Sequence, residues 1–277
     1  MSEKQGNAMS LSEAKSCFDA GDLATAIDKC QTILRQRPVD QQARRFLAEL
    51  LCFDCNFERA DKQLDILSTQ EPDGAAGYII LRQVLRAAQV RQNFFHDVHL
   101  PTFVVAPDEH VRSLVRSLVA MRDGDTAEAV SALKHAETVR PVCTGGHGSQ
   151  AFVDFRDADD RMAGIVEVLT TNGEYAWVPM SSIDKLEPRP IRRALDLLWR
   201  PAMLTVRQGP DGLVYLPCVY EPAGDNPQHV LGRETDWREV GDGIYRGFGL
   251  RTFIVDDDNV PILELAEMSF DQDSDVG

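Results

Sequence analysis

No run of about 18 apolar residues occurs anywhere in this 277-residue chain, which excludes a hydrophobic membrane-spanning helix. The opening MSEKQGNAMSLSEAKS lacks a basic stretch followed by an apolar one, so no secretory leader is expected and the cytosol is the expected location. Cysteine is sparse, six residues spread over the whole length, too few and too scattered for a disulfide scaffold. Cys52 and Cys55 form a C-x-x-C, but one pair supplies two of the four soft ligands that structural zinc wants. Both fall in a helical apolar pattern, where cysteine acts as a small hydrophobe.

Positive charge is also in deficit. Lys and Arg number 29 against 44 Asp and Glu, a formal net charge of −15, which repels phosphate backbones and makes nucleic acid an unsuitable partner. The basic string RPIRRALDLLWRP (Arg189, Arg192, Arg193, Arg200) carries Asp196 and much apolar surface, and reads as packing and partner contact. The acidic runs at Asp256, Asp257 and Asp258 and in the tail 271–277 read as a solvated loop and a frayed end.

What is present is a folded-protein balance of 43% apolar and 26% charged residues. Leu23, Ala26, Ile27, Cys30, Ile33 and Leu34 form a one-faced helical stripe, and Leu11, Ala14, Cys17 and Phe18 form a shorter one upstream. Between them Gly21 suits a left-handed helix stop and Asp22 a helix start, which together make a helical hairpin. The pattern recurs 34 residues on, with Phe57, Ala60, Leu64 and Pro72 at the places of Leu23, Ala26, Cys30 and Pro38. A third copy keeps the spacing at Gly124, Ala129, Leu133 and Pro141.

This resembles the tetratricopeptide repeat, whose period is 34 residues. The small residues let paired helices approach closely, and proline ends the second helix because it cannot extend the hydrogen-bond ladder. Cys55 departs from the usual glycine. In 75–109, AAGYIILRQVLRAAQVRQ reads as a helix but NFFHDVHLPTFVVAP breaks its expected partner, so an irregular unit is expected there. His96 and His99 sit in that connection, read as a loop packing down on Phe94 and Phe95 and not as a metal pair. Stacked hairpins leave a concave face suited to a peptide or helix. By repeat position its lining is expected to include Lys15, Arg45, Glu49, Gln83, Arg86 and Leu118.

After Pro141 the texture changes. VCTGGHGSQ reads as a linker and lacks the lysine of a phosphate loop. Beyond it, β-prone runs flank the turn signals TNGE, GPDG and DDDN, with a helical piece near Arg192 to Leu198. The fold class expected is α+β: N-terminal tetratricopeptide-like helical repeats followed by a small, mostly antiparallel β-rich α+β domain. The divisions expected are 1–141 for the repeats, 142–150 for a linker, 151–270 for the β-rich domain and 271–277 for an acidic tail. Asp154, Asp157, Asp159 and Asp160 in DFRDADDR offer oxygen ligands for a divalent metal or an acid–base pair. No nucleophile elbow, helical zinc motif or Walker motif accompanies them. Capping turns and pairing with Arg156 and Arg161 is the competing reading.

The strings FRDADDRMAGIVEVLTTNGEYAWVPMSSI, RPIRRALDLLWRPAML, LGRETDW and GFGLRTFIV resemble the ImpE/TagJ family of type VI secretion accessory proteins, whose amino-terminal half is also tetratricopeptide-like. The resemblance implies a bacterial cytoplasmic scaffold for protein–protein interaction, without enzymatic activity, metal or cofactor. Its implied partners are a helix of the small contractile-sheath subunit (TssB-like) and the AAA+ ATPase ClpV, whose sheath disassembly it assists. Within the motif strings Asp157, Asp159, Asp160, Arg161, Trp177, Trp199, Arg233, Asp236 and Trp237 are expected to be architectural. The tryptophans would anchor the sheet domain, and Arg233 and Asp236 would pair with each other or with the DADDR turn. Two rival readings stand beside this one: a metal-dependent hydrolase built on Asp154, Asp157, Asp159 and Asp160, and a tetratricopeptide co-chaperone unrelated to secretion.

Overall fold

Three helical hairpins turn on one local device. The structure, a computed structural model, describes residues 10–96, 100–221, 223–224 and 226–271; His99 and the tail residues 272–277 lie outside them. The helices are α1 (Leu11–Asp19), α2 (Leu23–Gln36), α3 (Gln41–Phe53), α4 (Phe57–Gln70), α5 (Ala75–His96), α6 (Glu109–Arg122) and α7 (Thr126–Thr138). Between the members of each hairpin one residue takes a left-handed backbone: Gly21 at φ 89°, Cys55 at φ 52° and Gly124 at φ 79°. Its N–H and the next one then reach back to the helix end, Gly21 to Phe18 O (2.9 Å) and Asp22 to Cys17 O (2.9 Å). The same pair of bonds recurs from Cys55 and Asn56 to Cys52 and Leu51, and from Gly124 and Asp125 to Met121 and Ala120. This satisfies carbonyls that a helix end would otherwise leave orphaned.

The second helix of each hairpin starts at once. Asp22 accepts from the Thr25 N–H and Asp125 from the Glu128 N–H, each at 3.0 Å, while Asn56 makes no such side-chain cap. Ala26, Ala60 and Ala129, the small residues of the three hairpins, are all 0% exposed.

The chain forms two compact units, Met1–Leu85 and Arg86–Gly277, and the division falls inside α5. In the first unit the buried set includes Phe18, Ile33, Leu50, Leu51 and Leu67. Phe18 meets the rings of Phe46 and Phe53 edge-on, at 5.9 and 5.2 Å between centroids. Cys52 is buried and donates to the Ala48 carbonyl at 3.2 Å, whereas Cys55 is exposed.

The second unit is organised by a nine-stranded sheet, antiparallel except at one edge. Its strands are β1 (Thr102–Phe103), β2 (Gly145–His147), β3 (Gln150–Phe152), β5 (Ile165–Thr170), β6 (Tyr175–Pro179), β7 (Ile183–Pro188), β8 (Trp199–Val206), β9 (Asp211–Pro217) and β14 (Met268–Phe270), in the order β1-β6-β5-β9-β8-β7-β14-β2-β3. A smaller sheet joins β4 (Phe155–Asp157), β12 (Thr252–Val255) and β13 (Asp258–Pro261), and a two-stranded ribbon joins β10 (Thr235–Gly241) to β11 (Ile244–Gly249). TNGE, GPDG and DDDN do join hairpins, β5–β6, β8–β9 and β12–β13, with Gly173 and Asp256 left-handed in the first and last. Asp256 also accepts from the N–H groups of Val153 (2.7 Å) and Asp154 (3.0 Å), which gives this acidic loop a structural task. The core lies on one face of the large sheet, from Val166 and Val168 through Leu186 and Leu204 to Phe155, Phe253 and Phe270.

Three stretches differ from the sequence expectation. Helix α5 runs on through Asn93, Phe94 and Phe95, because the Phe94 ring gains edge-on contact with Trp177, centroids 5.4 Å apart, and lies against Tyr175 at 5.8 Å. The segment beyond it supplies β1, which pairs parallel to β6 with Thr102 opposite Ala176 and Phe103 opposite Trp177. Residues 145–147 of the glycine-rich stretch form β2, where Gly145 lies so close to Ser269 O that a Cβ would sit 2.0 Å from it. Near Arg192 the chain makes a single tight turn at Ala194–Leu197, and a short helix α8 (Pro227–Val230) follows later.

A left-handed backbone costs an ordinary side chain about 1 kcal/mol relative to glycine. Cys55→Gly should therefore stabilise the protein by about 1 kcal/mol, and Gly21→Cys should destabilise it by a similar amount. Urea unfolding of both variants beside the parent tests this; equal stabilities would refute the strain at Cys55.

Candidate functional site

Strand β5 reads Ile-Val-Glu-Val-Leu-Thr, and alternation sends Val166 and Val168 to the core while Glu167 faces the other way. Glu167 is nonetheless 2% exposed. Arg91 on α5 reaches it with two bonds, Nε to Oε1 at 2.9 Å and a terminal nitrogen to Oε2 at 3.2 Å. Arg251, just before β12, bonds Oε2 from another side and gives its other terminal nitrogen to Asp157 Oδ2 at 2.8 Å. The Tyr175 hydroxyl donates to Glu167 at 2.5 Å and accepts from Trp177 Nε1 at 2.6 Å, so the fully buried Trp177 has its one polar atom satisfied.

The DADDR turn continues this layer. Asp157 accepts from the Tyr220 hydroxyl and the Asp159 N–H, each at 2.8 Å. Asp159 receives Arg161 through Nε (2.9 Å) and a terminal nitrogen (2.6 Å), and the Gly247 N–H at 2.9 Å. Gly247 must be glycine: a Cβ there would stand 2.4 Å from the Tyr220 ring. Asp160 pairs with Arg156 and accepts the Tyr245 N–H at 2.6 Å. Asp154 takes a two-pronged bond from Arg140, at 2.9 and 2.6 Å. Each of the four aspartates thus has its own guanidinium. Among the described residues no group of three or more His, Cys, Asp or Glu is arranged to hold a metal ion.

Charge in this layer is matched one to one. Buried Arg91, Arg161 and Arg251 face buried Asp157, Asp159 and Glu167. Burial alone would raise Glu167, yet Arg91 and Arg251 together hold its carboxyl well below the usual carboxylate range. At Asp157 the balance tips the other way, and burial pushes the carboxyl up to about 7 against the pull of Arg251. The negative charge of neighbouring Asp159 adds to that push. Burial also pushes the Tyr175 and Tyr220 hydroxyls well above their ordinary value, so both are donors throughout the working pH range.

The other motif residues are scattered. Trp199 is buried, whereas Trp237 is 42% exposed and meets Tyr220 edge-on at 5.8 Å. Asp236 lies 2.7 Å from His229 Nε2, and Arg233 is exposed with its N–H bonded to the Gln228 carbonyl at 2.8 Å. Arg200 is buried and caps the carbonyls of Ile262 (2.5 Å) and Leu265 (3.0 Å), a packing role. Among the groove positions, Lys15 and Arg86 are exposed, Gln83 is half-buried and Glu49 is buried. Half-buried Arg45 is engaged with Glu71 (2.7 Å) and the Tyr78 hydroxyl (2.8 Å) within the first unit. Leu118, in the second unit, lines a cavity beside α5 and α6.

The family model for ImpE protein matches residues 149–269, the stretch that contains the DADDR turn, Glu167 and Arg251. A type VI secretion system accessory component, TagJ of Pseudomonas aeruginosa, is 28% identical over 261 residues, which is 93% of this chain and 91% of that protein. The chain belongs to the ImpE/TagJ family. A crystal structure of protein VPA1032 from Vibrio parahaemolyticus is 30% identical and superimposes with a TM-score of 0.87, covering 95% of this chain and 98% of that one. The resemblance carried by the motif strings is borne out, and the α+β fold class with it.

Arg91, Glu167 and Arg251 were not singled out from the sequence. The signal available was a glutamate inside an otherwise apolar strand, V-E-V, since a charge there is tolerated only with buried partners. Glu167→Gln leaves two guanidiniums short of a counter-charge and should cost about 3–5 kcal/mol at pH 7. Because the folded carboxyl is depressed, the contribution is fully present above the unfolded value of about 4.5, shrinks as pH falls below it and is gone only below the depressed folded value. Parent and variant are compared in an Asp157→Asn background, so that the carboxyl sharing Arg251 with Glu167 titrates in neither. Urea titrations at pH 7 and pH 4 should show the gap between parent and variant narrowing; a gap that widens in acid would contradict the assignment.

Proposed function

We propose that the protein is a non-enzymatic adaptor of a type VI secretion machine, working in the bacterial cytoplasm. On this reading it holds a helix of the small TssB-like sheath subunit and assists ClpV-dependent turnover of the sheath. The observation that carries it is the match to an accessory component of that system over nearly the whole length of both chains. The internal pairing of Asp154, Asp157, Asp159 and Asp160 with Arg140, Arg251, Arg161 and Arg156 supports it as well. Carboxylates engaged in this way are poor candidates for ligating a divalent cation or exchanging protons with a substrate.

The helical hairpins, assigned to residues 1–141 as a repeat domain, present the partner groove, and the β-rich remainder supports it. Helix-in-groove recognition takes an apolar face from the partner and fixes its register with rim charges. In the first unit the candidates for the rim are exposed Lys15 and half-buried Gln83 and Arg45. Buried Glu49 contributes by packing. Arg86 and Leu118 are the candidates from the second unit. Architectural roles for the motif residues Asp157 through Trp237 belong to the same reading.

Titration calorimetry of the full-length protein with the sheath subunit's amino-terminal helix as a peptide tests this. Micromolar binding is expected, weakened about tenfold by Lys15→Glu or by Arg45→Ala, a change of about 1.4 kcal/mol. No heat at micromolar concentrations, or identical binding by the groove variants, would remove the proposal.

A further inference from the structure

A cavity of about 200 Å³ opens in the second unit beside α5 and α6. Its apolar wall includes Phe95 from α5 and Leu118, Val119 and Met121 from α6, and three arginines, Arg122, Arg161 and Arg246, complete the lining. In a chain of net charge −15 the lining holds three arginines and no carboxylate. Arg161 is 3% exposed and anchored on Asp159, so its position is fixed before any ligand arrives. Arg246 Cζ stands over the Phe248 ring, 4.1 Å from its centre. Its guanidinium is pulled down to about 10 by burial and by the neighbouring charge of Arg161. Arg122 is exposed and reaches the exposed carboxylate of Asp123 at 3.0 Å.

We propose that this cavity receives one large apolar side chain of an acidic peptide segment, with the flanking carboxylates of that segment resting on Arg246 and Arg122. Size argues for a side chain: pockets that enclose whole drug-sized ligands run from about 300 to 1,000 Å³, whereas this one has room for a single ring or branched aliphatic group. Composition argues for the flanking acids, since guanidiniums beside an apolar wall match carboxylates in charge and in forked geometry. A buried apolar anchor ringed by charge is also the usual anatomy of an interaction hot spot. The inference stands apart from the sheath reading, because the probe below contains no sheath sequence and either can fail alone.

The experiment is fluorescence anisotropy of the full-length protein with a dye-labelled, end-blocked peptide of glutamates around one tryptophan and one leucine, at low ionic strength. Saturable binding with a dissociation constant below about 1 mM is expected, weakened at least tenfold by Arg246→Glu, less by Arg246→Gln, and abolished by Val119→Trp, which fills the cavity. Replacing the peptide's tryptophan by alanine should weaken binding as much as filling the cavity does. Circular dichroism and thermal midpoints establish that the variants are folded, and the two Arg246 variants carry the test if Val119→Trp is not. Absence of saturable binding, or equal binding by parent and Arg246→Glu, would overturn the proposal. So would competition by free indole-3-acetate at concentrations equal to the peptide, which would make this a small-molecule pocket.

Discussion

Glu167 is a full negative charge placed inside a sheet, and much of the second unit is arranged so that it can stay there. An isolated buried carboxylate would take up a proton rather than bear the desolvation. Arg91 and Arg251 prevent this, and they come from 76 and 84 residues away. The requirement of one side chain therefore brings α5, β5 and the start of β12 to a common point. Arg251 passes the constraint to Asp157, Asp157 accepts the Asp159 N–H, and Asp159 holds Arg161 and the backbone of β11 at Gly247.

The same charge guards strand register. A shift of β5 by one residue would exchange its two faces, driving Glu167 among Val166's neighbours in the core and leaving two buried guanidiniums opposite valine. Hydrophobic patterning alone discriminates weakly here, because β5 is buried on both faces from Ile165 to Leu169. The ionic layer supplies the asymmetry that the apolar residues lack. Buried ion pairs are weak sources of net stability, so their effect in this sheet is best understood as excluding alternatives.

Local features were legible in the sequence where a single residue determines a backbone state. Gly21 marks a left-handed helix stop and Asp22 a start, Gly124 repeats the stop, and Ala26, Ala60 and Ala129 mark fully buried positions, all within a few residues of the effect. The turns TNGE, GPDG and DDDN belong to the same class. What was not legible depends on distant partners. Phe94 and Phe95 continue a helix because Trp177 and Tyr175 await them, and the strand at Thr102–Phe103 exists because β6 offers an edge. Cys55 holds a conformation that glycine would hold more easily because the Schellman bonds around it repeat those at Gly21. The aspartates of DADDR advertised a reactive cluster, and only the positions of Arg140, Arg156, Arg161 and Arg251 turn them into crosslinks.

That conversion bears on where recognition can occur. A carboxylate already satisfied by a guanidinium and backbone N–H groups gains little from a partner, since any new bond displaces an existing one. The DADDR turn and Glu167 are spent on the interior in this sense. Surface able to contribute net binding energy must come from apolar groups without a full covering and from charges facing an excess of their own sign. In the second unit the apolar groups Leu118 and Val119 lie beside Arg246, whose guanidinium is pulled down by burial and by the charge of Arg161. The acidic motif is turned inward, and the apolar wall beside α6 is edged with arginine, the arrangement that the proposed contact with an acidic segment would use.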